Sequence, residues 1–332
     1  MMYSHLSTDL TLTVLCHGPY RYTEHLLKLA ACCPVSVPPL PEYLCHINTP
    51  LMADAWRTAL ADHPNKSYVD YILRGITEGF RIGFNYSHHT CRPSHGNMLS
   101  TLENPDVVDD YLQKELRDGN IAEVINPAGL LGLQVSPFGV IPKRHSPNKW
   151  RLIVDLSSPK GNSVNDGIDK ELCSLSYVSV DTIAEQIAVL GRGALMAKMD
   201  VRSAYRLIPV HPCDRPLLCM CWRNRLFMDK ALPFGLRSAP KIFNAVADAL
   251  EWVLKSRGAA CVYHYLDDFI TLGEPDGVSC ARNLQLILEV CRELGVTVAL
   301  EKCEGPSVCI VFLGIEIDSV SMEMRLPQDK LE

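Results

Sequence analysis

Tyr263-His264-Tyr265-Leu266-Asp267-Asp268-Phe269-Ile270-Thr271-Leu272-Gly273 sets two adjacent carboxylates inside an otherwise apolar stretch. The flanking runs, 261–265 and 269–272, have the texture of strands, so a hairpin turn between them would present the acids at a sheet surface. Neighbouring carboxylates repel in a partly dry site unless a cation offsets them. Hard oxygen donors suit Mg2+ or Mn2+. The plain alternative is an Asp-Asp turn between two strands. Asp200 supplies a third carboxylate, because it too ends a short apolar strand, 194–199. Two such strands lying side by side would bring all three acids together.

Outward from this centre the chain reads as short regular elements. Residues 106–118 carry Val107, Val108, Tyr111, Leu112 and Leu116 at helical spacing, with Gly119 as a stop. The apolar runs 138–142 and 150–156 flank a polar turn and predict a hairpin. Lys143, Arg144, Lys149 and Arg151 crowd that hairpin, the densest basic patch in the chain; a solvated face is the plain alternative. The tight Leu232-Pro233-Phe234-Gly235 loop leads into an amphipathic helix over 238–254. A helix over 283–294 ends at Gly295, and 308–317 reads as a strand. Strands and helices interleave without regular alternation, which predicts an α+β fold with an antiparallel sheet and helices packed on one face. Upstream, 50–80 is moderately helical, and Pro34, Pro38, Pro39 and Pro41 mark a break. His88, His89, Cys91 and His95 could ligate zinc, with a polar loop as the plain alternative.

Composition bounds the class. The 332 residues are 47% hydrophobic with mean hydropathy +0.04, too apolar for a disordered chain. Net charge is −6 and the pI near 6.0, so any nucleic-acid contact must come from local patches. The 14 cysteines include no C-x-x-C pair, which predicts free, mostly buried thiols in a reducing compartment. The run 10–16 lacks the basic flank of a signal peptide, and no stretch approaches a membrane span. An intracellular protein, cytoplasmic or nuclear, is expected.

Five blocks, in order and at suitable spacing, resemble the reverse transcriptases of long-terminal-repeat-type retroelements. They are SPFGVIPKRHSPNKWRLIVDLS (136–157), MAKMDVRSAYRLIPV (196–210), LPFGLRSAPKIF (232–243), YHYLDDFITLG (263–273) and VFLGIEI (311–317). The stretch 162–181 and the wording of 232–243 look most like the DIRS type, the tyrosine-recombinase retrotransposons. The resemblance covers about 105–325 and implies the fingers and palm of a right-hand polymerase. Residues 1–104 would be an element-specific, partly unstructured region, and no thumb, RNase H or recombinase is read in the chain.

The implied activity is RNA-directed DNA synthesis, in which two Mg2+ or Mn2+ ions serve nucleotidyl transfer from dNTPs onto a primer annealed to an RNA or DNA template. By position, Asp200, Asp267 and Asp268 would be the catalytic metal ligands. Tyr205 falls where the family places a ring that excludes a 2′-hydroxyl; a core tyrosine is the alternative. Phe234 and Gly235 would line the nucleotide pocket, although some retroviral enzymes have glutamine where Phe234 stands. Arg151 and Lys143 would bind the triphosphate, with Arg144 competing for the lysine's place because this hairpin is longer than the retroviral one. Lys302 matches a lysine that can act as general acid toward pyrophosphate, against the alternative of a surface lysine. Phe312, Leu313 and Gly314 resemble the primer grip. Three rival functions remain: a silent, truncated retroelement remnant that only binds nucleic acid, an RNA-dependent RNA polymerase, and a two-metal phosphohydrolase.

Overall fold

The computed structural model describes residues 19–31, 40–88, 96–127, 130, 132–142, 150–275 and 277–330. In chain order its helices are α1 (Pro19–Ala31), α2 (Glu42–Cys45), α3 (Ala53–Ala59), α4 (Lys66–Glu78), α5 (Leu99–Glu103), α6 (Pro105–Arg117), α7 (Val180–Leu190), α8 (Ala239–Ser256) and α9 (Val278–Leu294). Its strands are β1 (Ile121–Glu123), β2 (Phe138–Pro142), β3 (Trp150–Val154), β4 (Leu195–Asp200), β5 (Cys219–Trp222), β6 (Arg225–Asp229), β7 (Val262–Tyr265), β8 (Asp268–Gly273), β9 (Glu304–Ser307), β10 (Cys309–Phe312), β11 (Ile315–Asp318) and β12 (Glu323–Arg325).

A four-stranded antiparallel sheet in the order β7-β8-β4-β9 carries the site. Side chains alternate across it, as a strand's period of two requires. Met199, Val262 and Phe269 face the core built by α8 and α9. Met196, Ile270 and Leu272 face Ile183 and Ile187 of α7 and Ile310, Phe312 and Ile317 of the β10–β11 hairpin. Helix α8 forms because Ile242, Phe243, Val246, Leu250, Val253 and Leu254 recur at helical spacing, and all six are buried. Pro240 in its first turn costs no hydrogen bond there. Ser179 caps α7 by accepting from the Thr182 amide.

A second layer joins the β2–β3 hairpin to the sheet β1-β6-β5. Helix α6 covers both, setting Val108 and Leu112 against Phe138, Val140, Leu152, Met220, Trp222 and Phe227.

The sequence reading needs four adjustments. Residues 308–317 form two strands, β10 and β11, because Leu313 (φ 50°) and Gly314 (φ 78°) turn the chain back. Positive φ at both central residues is what a two-residue hairpin demands, and glycine supplies it readily. Residues 50–80 hold two helices, since Pro64 interrupts them and the Asn65 side chain starts α4 by accepting from the Tyr68 amide. Helix α9 begins at Val278, ahead of the expected 283, and stops at left-handed Gly295 as read. Of the ten described cysteines, all free, only Cys219, Cys280 and Cys291 are buried.

The core continues through the 104/105 boundary: Leu26, Leu51, Trp56 and Ile72 share one cluster with Leu250, Leu254 and Leu294. Among the described residues no helix is long and apolar enough to cross a membrane.

Candidate active site

The two strands that end in acids lie side by side. In the β4–β8 register Asp200 is paired with Asp268, and Tyr265 faces Asp268 across β7–β8. Leu266 and Asp267 therefore form a two-residue turn, with Leu266 held at φ 53°. The Asp267 carbonyl accepts from the Val201 amide at 2.9 Å, which locks this turn to the end of β4. Asp200 and Asp268 thus lie side by side at one end of the sheet, with Asp267 in the adjoining turn.

Their electrostatics follow from that crowding. Burial first, and then repulsion from Asp267 and Asp200, pushes Asp268 up to about 6. Burial and Asp200 likewise raise Asp267. Lys302 answers part of this charge by donating to both Asp200 carboxylate oxygens, at 3.0 and 2.9 Å. That hydrogen bond raises the lysine's own pKa. Among the described residues no three His, Cys, Asp or Glu side chains converge closely enough to hold a metal ion. The Asp200 carboxylate is engaged by the lysine instead.

An open cleft of about 790 Å³ lies over this edge, lined by Asp200, Asp268, Lys302, Phe312, Leu313 and Gly314 among others. The hairpin residues 312–314 therefore face the same space as the acids. Phe312 itself is buried, whereas Leu313 and Gly314 of the turn are half-buried. The Gly314 carbonyl accepts from Lys330 at 3.1 Å.

Tyr205 sits in a one-turn helix, Ala204–Leu207, just beyond β4. Its ring lies 5.0 Å from that of Phe234 and 6.0 Å from that of Phe243. Burial, and after it the nearby Asp267 charge, pushes its hydroxyl up to about 12. Phe234 is 57% exposed, an unusual state for a phenylalanine and one that leaves a ring free to meet a ligand. Gly235 has φ 89°, and a Cβ there would come within 3.0 Å of the Val154 carbonyl oxygen. That close approach sets the 234–235 loop against the end of β3. Arg151 lies three residues back along that strand, roughly 10 Å at strand rise. It is exposed and has no ion-pair partner among the described residues. Lys143 and Arg144, and the His89, Cys91 and His95 of the possible zinc cluster, fall outside the described residues.

Three residues not singled out in the sequence also shape the site. Lys198 donates to the Val311 carbonyl at 2.8 Å and pairs with Glu304 at 2.7 Å, fastening the hairpin across the cleft. A lysine inside an apolar strand was a readable signal. Asn165 donates to the Gly235 carbonyl and accepts from the Arg237 amide, holding the loop from behind. Tyr177 meets Tyr265 with ring centroids 4.5 Å apart, bracing the acid turn.

Comparison with known proteins agrees with this geometry. Residues 141–317 match the family described as reverse transcriptase (RNA-dependent DNA polymerase). The retrovirus-related Pol polyprotein from transposon opus of Drosophila melanogaster is 27% identical over 210 residues, which cover 62% of this chain and 19% of that polyprotein. The Pol polyprotein from transposon 412 of the same organism is 26% identical over 241 residues, covering 70% and 17%. The chain thus spans about a fifth of these relatives. Among solved structures, a foamy viral protease-reverse transcriptase in complex with dsDNA superimposes with a TM-score of 0.58 at 15% identity, covering 88% of this chain and 58% of that one. Likeness at that identity establishes the right-hand polymerase fold. The sequence match spans more than half of the residues and includes all three acids, so the chain belongs to the reverse transcriptase (RNA-dependent DNA polymerase) family.

Proposed function

We propose that this chain is the fingers and palm of a retroelement's RNA-directed DNA polymerase, extending a primer with deoxynucleotides. The observation that carries the reading is the Asp200–Asp268 strand pairing with Asp267 in the adjoining turn, beside the Tyr205–Phe234 ring pair.

Asp200, Asp267 and Asp268 are the residues that would hold divalent ions, Mg2+ or Mn2+. The donor chemistry fits: the oxygens are hard, and two of the three carboxyls, Asp267 and Asp268, have pKa values raised by burial and by neighbouring acids, a strain that a divalent cation relieves. Bound there, such ions would lower the pKa of a primer hydroxyl and neutralise phosphate charge. Asp200 must exchange its Lys302 contact to take part. Freed from Asp200, Lys302 can deliver its proton to departing pyrophosphate. Arg151, with Lys143, receives the triphosphate; an arginine fork suits two phosphate oxygens at once. Tyr205 and Phe234 wall the sugar's side of the pocket, and Gly235 lets the backbone close on β3. The turn of 312–314 grips the primer end.

Template and primer strands are the partners this surface would take. The foamy viral protease-reverse transcriptase of the same fold has been solved in complex with dsDNA and with an RNA/DNA hybrid, which supports that reading. Within the family the wording of 162–181 and 232–243 favours the DIRS-type branch.

Primer extension on poly(rA)/oligo(dT) with dTTP and either Mg2+ or Mn2+ tests the proposal, beside an Asp267→Asn, Asp268→Asn double variant. Extension by the parent chain and none by the variant is expected. A folded parent chain that fails to extend would place it among silent retroelement remnants instead.

A further inference from the structure

Arg206 follows the proposed sugar gate in sequence, yet its side chain points away into the protein. It is buried at 9% exposure and uses every edge of its guanidinium. Nε pairs with Glu115 at 3.0 Å, one terminal nitrogen donates to Asp229 at 2.6 Å, and the other donates to the Tyr111 hydroxyl at 2.8 Å. The nitrogen that meets Asp229 also reaches the Ala231 carbonyl at 3.3 Å. Glu115 and Tyr111 belong to α6, Asp229 ends β6, and Ala231 opens the segment that leads to Phe234. Beside it, the Leu232 amide donates to the Ile208 carbonyl at 3.0 Å. One buried cation therefore anchors both the turn that carries Tyr205 and the root of the loop that carries Phe234.

From this geometry we propose that Arg206 is a positioning residue for sugar selection. It fixes the Tyr205–Phe234 spacing by tying both backbones to α6, although it touches no nucleotide itself. The inference rests on the polymerase reading above. A fork-shaped donor is required, because a lysine cannot span Glu115, Asp229 and Tyr111 together. Charge-assisted bonds of this kind are the strong ones, so loosening one shifts the ring pair rather than being absorbed elsewhere.

The test measures the ratio of dTTP to UTP incorporation by the 332-residue chain on a primed template. Arg206→Lys removes the fork, and Tyr111→Phe removes one bond while leaving the buried charges paired, so it folds even where the lysine variant does not. Tyr111→Phe is expected to lower the ratio about tenfold, the effect of one charge-assisted hydrogen bond. Introduced into Tyr205→Ala, it should change the ratio no further, because the ring it positions is gone. A uniform fall in both rates with the ratio unmoved would overturn the inference and leave the polymerase reading standing. The same holds for an equal effect with and without Tyr205. A parent chain that extends with neither nucleotide overturns the reading, and the inference with it.

Discussion

Under the proposed function Lys302 would serve two states of the site. Its side chain is 60% exposed, and its ammonium is bonded to both oxygens of Asp200. An ion pair so open to solvent adds little stability. Lys302→Gln should therefore shift the unfolding free energy by no more than about 0.5 kcal/mol. As a general acid toward pyrophosphate, the same residue is expected to matter far more to rate. Single-turnover extension by Lys302→Gln should slow by about 10²-fold with the apparent dNTP affinity unchanged, the mark of a group that acts only in the transition state. A weakened affinity at unchanged rate would make it a phosphate contact instead. At this scale the acids were legible because two adjacent carboxylates interrupt an apolar run, and their pairing with Asp200 followed from strand adjacency. Lys198 could be read only as a charge inside an apolar strand, since its partner carbonyl at Val311 lies 113 positions away and leaves no local trace.

Between elements, an ion cluster around one buried histidine fastens the acid hairpin to α8. His264 of β7 contacts Glu251 through Nδ1 at 2.6 Å and Asp248 through Nε2 at 3.3 Å, with its ring stacked 5.1 Å from Phe269. Lys255 shares Glu251 at 2.6 Å. Burial alone would lower the histidine's pKa, but its hydrogen bonds to Asp248 and Glu251 outweigh that and push it up to about 9. A folded value above the unfolded one means the cluster stabilises fully below about pH 6.5 and loses its contribution as pH rises to about 9. The difference between those limits is on the order of 3 kcal/mol. Urea unfolding at pH 6 and pH 9.5 should show that loss in the parent chain, and His264→Gln should flatten it. An unchanged pH dependence in the variant would assign the effect to other groups. Periodicity located both partners of this junction, β7 and α8. It missed the β10–β11 turn because Leu313 is a bulky apolar residue at positive φ, where local preference points to continued strand.

For the molecule as a whole, the upstream residues were the least legible part, and the reason is the length of their contacts. Trp56 is fully buried and its indole donates to the Leu294 carbonyl at 3.0 Å across 238 positions. The Met52 amide meets the same carbonyl, and the Tyr68 hydroxyl reaches the Ala245 carbonyl of α8. Left-handed Gly295 closes against the Pro50 carbonyl so tightly that any Cβ would collide with it. Tyr68, Tyr71, Ile72 and Ile76 recur at helical spacing, but no periodic pattern in 50–80 names the distant partners that such a face meets. These contacts make the upstream helices part of the floor beneath α8 and α9, on which the acid-bearing sheet rests. Trp56→Ala should then cost about 3–5 kcal/mol, the usual toll for emptying a buried aromatic site. Trp56→Phe, which keeps most of the volume and leaves the Leu294 carbonyl its bond from the Met52 amide, should cost about 0.5–1.5 kcal/mol. Thermal unfolding followed by near-ultraviolet dichroism reads both. A single, lowered transition in each variant is expected, because one core melts as a unit. If Trp56→Ala instead splits the curve and leaves a later transition at the parent temperature, the upstream helices form a separable layer and the palm stands without them.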